Sequence, residues 1–182
     1  MESTSESDSP GAIPSWRPRG RPAPLGRLES VLAWARSHSL TLHPFVTSCC
    51  ALDTDSLFGP RFDIERTGTG LPGSASRQAD LLLVAGPAMD RRAAALRRAY
   101  EQMAEPKWVM AVGACACSGG IWEGYATGRS VGEIIPVDIY IPGCPPRPEA
   151  ILHGLLELQR RIRGERIGRE GRHREPPDSV PG

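Results

Sequence analysis

The sequence predicts a doubly wound α/β domain, a parallel sheet with helices on both faces. Three observations predict it. Asp80–Gly86, Lys107–Gly113 and Val137–Ile141 are apolar runs of strand length, and unbroken apolarity marks strands buried on both faces. Segments of helical period separate or follow them, and strands alternating with helices give this architecture. The 182-residue length suits one domain with extensions, at about 100 to 200 residues per domain.

Each element follows in chain order. Leu25–Leu40 places Leu25, Leu28, Leu32, Trp34 and Ala35 near helical spacing, with Arg27, Glu29, Arg36 and Ser37 between them, which predicts an amphipathic helix. Leu42–Thr47 is a short apolar stretch that ends at Ser48-Cys49-Cys50, and Phe62–Thr67 is a second strand-like piece before Gly-rich chain. After the strand at 80–86, Met89–Met103 sets Ala93, Leu96, Tyr100 and Met103 on one face and Arg91, Arg92, Arg98 and Glu101 elsewhere, the pattern of a helix covering a sheet. The strands at 107–113 and 137–141 follow, then a helix over Pro148–Ile162 that opens with proline, tolerated in the first turn because that N–H has no intrahelical partner.

Residues 25–163 form the expected domain. Residues 1–24 carry five Ser, five Pro and a single aromatic, Trp16, too little apolar surface to offset ordering; a flexible arm is expected. From 164 to 182 a flexible charged tail is expected, since Arg160–Glu175 holds seven Arg and three Glu. A net charge of +1 gives no basic footprint for nucleic acid. No apolar run approaches the roughly 18 residues of a membrane-spanning helix, so a membrane role is expected through partners.

Five cysteines, an odd number, occur in a chain that opens Met-Glu-Ser-Thr-Ser-Glu without a leader pattern. That combination points to a reducing compartment. The predicted strands run into them: 42–47 into Cys49 and Cys50, 107–113 into Cys115 and Cys117, 137–141 into Cys144. Loops at the carboxyl ends of parallel strands share one edge, where ligands collect. Gly113, Gly119-Gly120, Pro142-Gly143 and Pro145-Pro146 flank the later thiols and suit tight turns around a bulky ligand. Structural zinc sites draw cysteines in pairs with two to four residues between them, whereas Cys49 and Cys50 are adjacent. An iron–sulfur cubane offers separate corners and takes thiolate ligands. Zinc and inert buried cysteines remain the alternatives. Cys115 and Cys117 point the same way in extended chain and need not in a turn, so spacing does not choose between them.

Longer runs carry a resemblance. Val31-Leu-Ala-Trp-Ala-Arg-Ser-His-Ser-Leu40, Ser48-Cys49-Cys50-Ala51, Arg77-Gln-Ala-Asp-Leu-Leu-Leu-Val-Ala-Gly86, Ala95-Leu-Arg-Arg-Ala-Tyr-Glu-Gln-Met103, Glu105-Pro-Lys-Trp-Val109, Gly113-Ala-Cys-Ala116 and Ile135-Pro-Val-Asp-Ile-Tyr-Ile-Pro-Gly-Cys-Pro-Pro146 together resemble the B-type subunit of respiratory complex I. That NADH–quinone oxidoreductase member is related to the small subunits of [NiFe] hydrogenases. The resemblance implies a flavodoxin-like fold and one [4Fe-4S] cluster, the terminal one, which hands electrons to quinone at a subunit interface. The implied ligands are Cys49, Cys50, Cys115 and Cys144. Cys117 falls where the family commonly has Asn and is left out as a non-ligand. No residue is assigned a catalytic role, because electron transfer needs no bond chemistry on this chain.

The implied partners are the large quinone-site subunit and a ferredoxin-like iron–sulfur subunit, in a complex peripheral to the cell membrane on its cytoplasmic side that couples electron transfer to proton translocation. Arg61 and Arg66 resemble an arginine-bearing segment near the family's cluster and quinone site, with a surface salt-bridge role as the alternative. His43 is expected to be structural. The chain departs from the pattern at Val46-Thr-Ser48, where Gly-Leu-Ala is usual, at Asp53, where Glu is usual, and at Thr54-Asp-Ser-Leu-Phe58, which replaces a Met-rich stretch of the quinone cavity. Gly119-Gly-Ile-Trp122 is more similar to hydrogenase-type relatives. Two rivals stand beside the main reading: a small subunit of a membrane-bound [NiFe] hydrogenase or formate hydrogenlyase, and a non-redox interaction module with buried cysteines. The hydrogenase relatives tend to space their first ligands Cys-x-x-Cys, so the tandem pair favours quinone.

Overall fold

The structure, a computed structural model, describes residues 27–70, 75–121 and 129–164. The expected arm over 1–24, the tail beyond Gly164 and Trp122 lie outside the described residues. The chain runs α1 (Arg27–Ser37), β1 (Leu40–Val46), α2 (Cys50–Ser56), β2 (Thr69–Gly70), β3 (Leu81–Ala85), α3 (Asp90–Gln102), β4 (Trp108–Val112), α4 (Ala114–Ser118), α5 (Val131–Ile134), β5 (Ile139–Ile141) and α6 (Pro148–Gly164). The five strands lie in the order β2-β1-β3-β4-β5, and every pairing is parallel. This is the flavodoxin-like order, whose ligand crevice opens where the winding reverses between β1 and β3.

The period of two along the strands divides the core. Leu81 and Leu83 of β3 and Met110 and Val112 of β4 pack with Ile151, Leu155, Leu158 and Ile162 of α6. Leu82, Val84, Val109 and Ala111 face the other way, onto Ala93 and Leu96 of α3 and Val131 and Ile134 of α5. Successive side chains on a strand point to opposite faces, so apolar residues at every position require cover on both. β5 is keyed to β4 at its start. Asp138 N–H donates to the Val109 carbonyl at 2.9 Å, and Val109 N–H donates back to the Asp138 carboxylate at 2.9 Å.

Two expectations need correction. Phe62–Thr67 is not a strand; Ile64–Thr67 forms a 3₁₀ turn, and pairing is confined to the two residues of β2. Polar side chains close that turn locally. Arg66 Nε donates to Asp63 at 2.7 Å, and the Thr67 hydroxyl donates to the Ile64 carbonyl at 2.6 Å; such bonds compete with a ladder. In α1 the expected apolar residues Leu28, Leu32, Trp34 and Ala35 do not face the core, and Leu25 lies outside the described residues. Leu28 and Trp34 are 73% and 57% exposed, and the buried positions are Ala33 and Ser37. The small side chain of Ala33 lets α1 lie close to α6, while Ser37 donates to the Trp34 carbonyl at 2.8 Å and accepts from Arg163 Nε at 3.2 Å. Among the described residues no helix is long and apolar enough to cross a membrane.

Candidate metal centre

The thiols sit where the strands end. β1 stops at Val46, and Thr47 N–H donates to the Ala85 carbonyl at 2.9 Å, fixing the chain beside β3 just before the tandem pair. Cys49 is the N-cap of α2 and Cys50 its first residue. The buried Thr54 hydroxyl closes that first turn on the Cys50 carbonyl at 2.9 Å. From β4 the chain turns at Gly113 into the short helix α4, which carries Cys115. Gly113 N–H donates to the Ile141 carbonyl at 2.9 Å and Ala114 N–H to the Gly143 carbonyl at 2.7 Å. These two bonds tie the Cys115 turn to the chain that leads from β5 into Cys144.

Close approach is possible because two positions lack a side chain. A Cβ on Gly113 would lie 2.8 Å from Cys50 Sγ, and one on Gly120 2.9 Å from Cys115 Sγ. Both glycines have φ in the left-handed region, +92° and +79°, which L side chains rarely adopt. Gly113 therefore brings the β4 turn against the thiol that follows β1. Gly120 does the same behind Cys115.

Electrostatics group the same four residues. Cys50 is 3% exposed, and burial, followed by Cys49 beside it with its hydrogen bond and then by Cys115 and Cys144, pushes its thiol up to about 11. Burial also raises Cys115, with Cys144 and Cys49 adding to the shift and a backbone hydrogen bond opposing it. Cys49 and Cys144 are exposed and Cys115 is partly so. Cys49 and Cys144 are thus open to whatever covers this edge.

Cys117 stands apart. Its thiol is pushed up to about 11 by burial, opposed by a hydrogen bond to the Ile141 backbone, with no contribution from the other four. Cys117 Sγ lies 3.5 Å from the Ile141 carbonyl and 3.7 Å from that of Ala111. The helical turn of α4 has rotated it away from Cys115, a distinction that spacing alone does not make.

The donors are all thiols, the ligand type of both zinc and iron–sulfur sites. Among the described residues no three His, Cys, Asp or Glu side chains close around a single metal-ion position. Tetrahedral zinc, at about 2.3 Å per thiolate, draws its sulfurs to within about 3.8 Å of one another. A cubane binds each thiolate at a different corner, so its ligands stay further apart. The cysteines stand on three separate turns, Cys49 and Cys50 adjacent on the first, with glycine backbones behind two of the sulfurs. Cys50, Cys115, Cys49 and Cys144 are the residues that could hold such a cluster.

The remaining sequence candidates fall elsewhere. Arg61 lies over the Phe62 ring at 5.4 Å, and Arg66 pairs with Asp63; both arginines are exposed. Their contacts are local, as the salt-bridge alternative expects. His43 pairs in register with Leu82 in the middle of β1, a place in the sheet. Sequence reasoning misses Ser48, although its hydroxyl lies 4.0 Å from Cys49 Sγ. Its only sequence signal is adjacency to the tandem pair.

A flavodoxin-like parallel sheet with cysteines on the loops at its carboxyl edge defines the class: a small doubly wound α/β protein with a thiol-bearing edge. The profile of the family described as NADH ubiquinone oxidoreductase, 20 Kd subunit, matches residues 48–158. The chain belongs to this family. It is 47% identical over 161 residues, covering 88% of each chain, to a B-type subunit of the NADH-quinone oxidoreductase of Anaeromyxobacter sp. strain Fw109-5. It is 50% identical over 142 residues, covering 76% of each chain, to the B-type subunit of the NADH-quinone oxidoreductase of Myxococcus xanthus. In structure it is similar to a chain of the membrane-bound sulfane sulfur reductase, an archaeal respiratory membrane complex, with a TM-score of 0.71 and 35% identity over 81% of this chain and 83% of that one. A chain of an NAD+-reducing [NiFe]-hydrogenase shares the fold, with a TM-score of 0.52 and 18% identity over 66% of this chain and 91% of that one. The protein is thus an electron-transfer subunit of an oxidoreductase complex, related to the B-type chain of NADH-quinone oxidoreductase.

Proposed function

We propose that Cys49, Cys50, Cys115 and Cys144 hold one [4Fe-4S] cluster, and that this chain delivers single electrons from a ferredoxin-like partner to a quinone at its interface with a larger subunit. The observation that carries the reading is geometric: β1, β4 and β5 run into these cysteines at one sheet edge, with the backbones of Gly113 and Gly120 set against Cys50 Sγ and Cys115 Sγ. When bound, the cluster supplies reversible one-electron transfer at a potential set by charge, hydrogen bonds to sulfur and solvent access. The chain's own residues supply the rest. Cys50, enclosed by the core, keeps water from one side of the site, and the backbones of Gly113 and Gly120 leave room against the sulfurs. Cys49 and Cys144 open outward. Exposed Leu52, Met89 and Ile121 follow β1, β3 and β4 on that same edge, which suits an apolar partner surface. The assembly is read as peripheral to the cell membrane on its cytoplasmic side, with proton translocation a property of the whole complex.

Anaerobic purification followed by iron and sulfide analysis tests the cofactor. About four of each per chain are expected, together with a reduced-state paramagnetic signal that Cys144→Ser alters or abolishes and Cys117→Ser retains. A colourless, iron-free protein would end the cluster reading. The resemblance to the sulfane sulfur reductase chain favours one second reading, a paralogue in a hydrogenase-like or otherwise truncated respiratory complex. Subunits that co-purify from membranes separate the two: an NADH-oxidising module supports the first, a nickel-binding large subunit the second.

A further inference from the structure

We propose that Cys117, the thiol outside the group of four, is a positioning residue whose S–H fastens the strand ends that carry Cys115 and Cys144 to each other. The inference rests on reading those two cysteines as ligands. Cys117 occupies the last turn of α4, two residues beyond Cys115, and its Sγ reaches the Ile141 carbonyl at 3.5 Å and the Ala111 carbonyl at 3.7 Å. Ala111 belongs to the end of β4, and Ile141 is the last residue of β5, three before Cys144. One donor on the Cys115 helix is therefore shared between the two strands that launch these ligands.

The place matters because β5 is short. It pairs with β4 at only three positions, Met110 with Ile139 through Val112 with Ile141, and it forms the edge of the sheet. Beyond that register the Cys144 loop is tied back by Gly113 N–H on the Ile141 carbonyl and Ala114 N–H on the Gly143 carbonyl. A carbonyl oxygen offers two lone pairs. At Ile141 one receives the Gly113 N–H, which leaves the other for the Cys117 S–H. The side chain also packs against the core beneath α3 and α5, so α4 is held from within while Cys115 remains at the surface. A thiol is a weak donor, and its effect falls on an edge junction held by only three register pairs.

Packing and hydrogen bonding predict opposite rescues, which makes the role testable on the full chain. Cys117→Val keeps the apolar volume and removes the donor; Cys117→Ser keeps a donor and gives up volume. In the iron-free protein, amide hydrogen exchange at Gly113 and Ala114 is expected to quicken about two- to fivefold in Cys117→Val, the loss of one weak hydrogen bond, and to stay at the wild-type rate in Cys117→Ser. After anaerobic iron–sulfide loading, the reduced-state paramagnetic spectrum of Cys117→Val should shift or broaden while that of Cys117→Ser matches wild type. Wild-type exchange and spectrum in Cys117→Val, or rescue by Val and not by Ser, overturns the proposal. A wild-type chain that takes up no iron sinks the cluster reading instead, and the exchange rates then decide the positioning role alone.

Discussion

Gly113 carries two constraints at once. Its φ of +92° belongs to a region that costs an L residue about 1 kcal/mol or more, and a Cβ there would stand 2.8 Å from Cys50 Sγ. Cys50 cannot yield easily, because it is buried and its turn is closed by Thr54. Gly113→Ala should therefore destabilise the iron-free chain by about 2 kcal/mol, measured by urea denaturation, and should lower iron retention more than stability. An alanine variant as stable as wild type and with full iron content would show that the close approach of this turn to Cys50 is not needed.

At the scale of elements, α6 and β5 meet across Gly154, where a Cβ would fall within 2.6 Å of Ile141 Cδ1 and 3.0 Å of its Cγ1. Alanine there gains about 1 kcal/mol of helix propensity, and the Ile141 tip can move, so Gly154→Ala should come out near neutral. Valine adds branches that cannot be absorbed; Gly154→Val should cost about 1 to 3 kcal/mol by overpacking. It should also disturb the β5 end that leads into Cys144. Thermal denaturation of the two variants checks the order, and equal losses would show that α6 is not seated on Ile141. The legibility of the sequence follows the same physics. β3, β4 and α6 are readable because burial on two faces, or on one helical stripe, writes a period into the chain. The face of α1 is not, since a small Ala33 and a hydrogen-bonded Ser37 pack inward while Leu28 and Trp34 point out, and periodicity counts apolar residues without weighing what a close helix contact requires. The Phe62–Thr67 segment resists reading because side-chain bonds from Arg66 and Thr67 decide a turn locally. The cysteine-bearing loops share one edge because topology places every carboxyl end there, whereas the orientation of Cys117 depends on a five-residue helix too short to leave a period.

Across the whole molecule, the same burial that shapes the site makes the iron-free chain sensitive to base. Burial pushes Cys50 and Cys117 from 9.0 up to about 11, and burial with Glu105 and Asp138 nearby pushes Tyr100 from 10.0 up to about 12. Each folded value lies above the unfolded one, so the folded chain keeps protons that the unfolded chain has released. Stability from these groups is complete below about pH 9 and falls as pH rises through 9 to 12, where the unfolded state binds fewer protons. Cluster loading changes one part of this account, because ligand thiols must lose their protons to bind metal. Cys50 then ceases to titrate, while Cys117 and Tyr100 continue. Urea midpoints of the iron-free chain should decline between about pH 9 and 11, and those of the anaerobically loaded chain should decline less over the same interval. Cys117→Ser, which removes a titrating thiol outside the site, should flatten the iron-free curve without changing the gap between the two forms. Parallel curves for loaded and iron-free protein would mean that Cys50 keeps its proton in both, and Cys50 would then have to be struck from the ligand set.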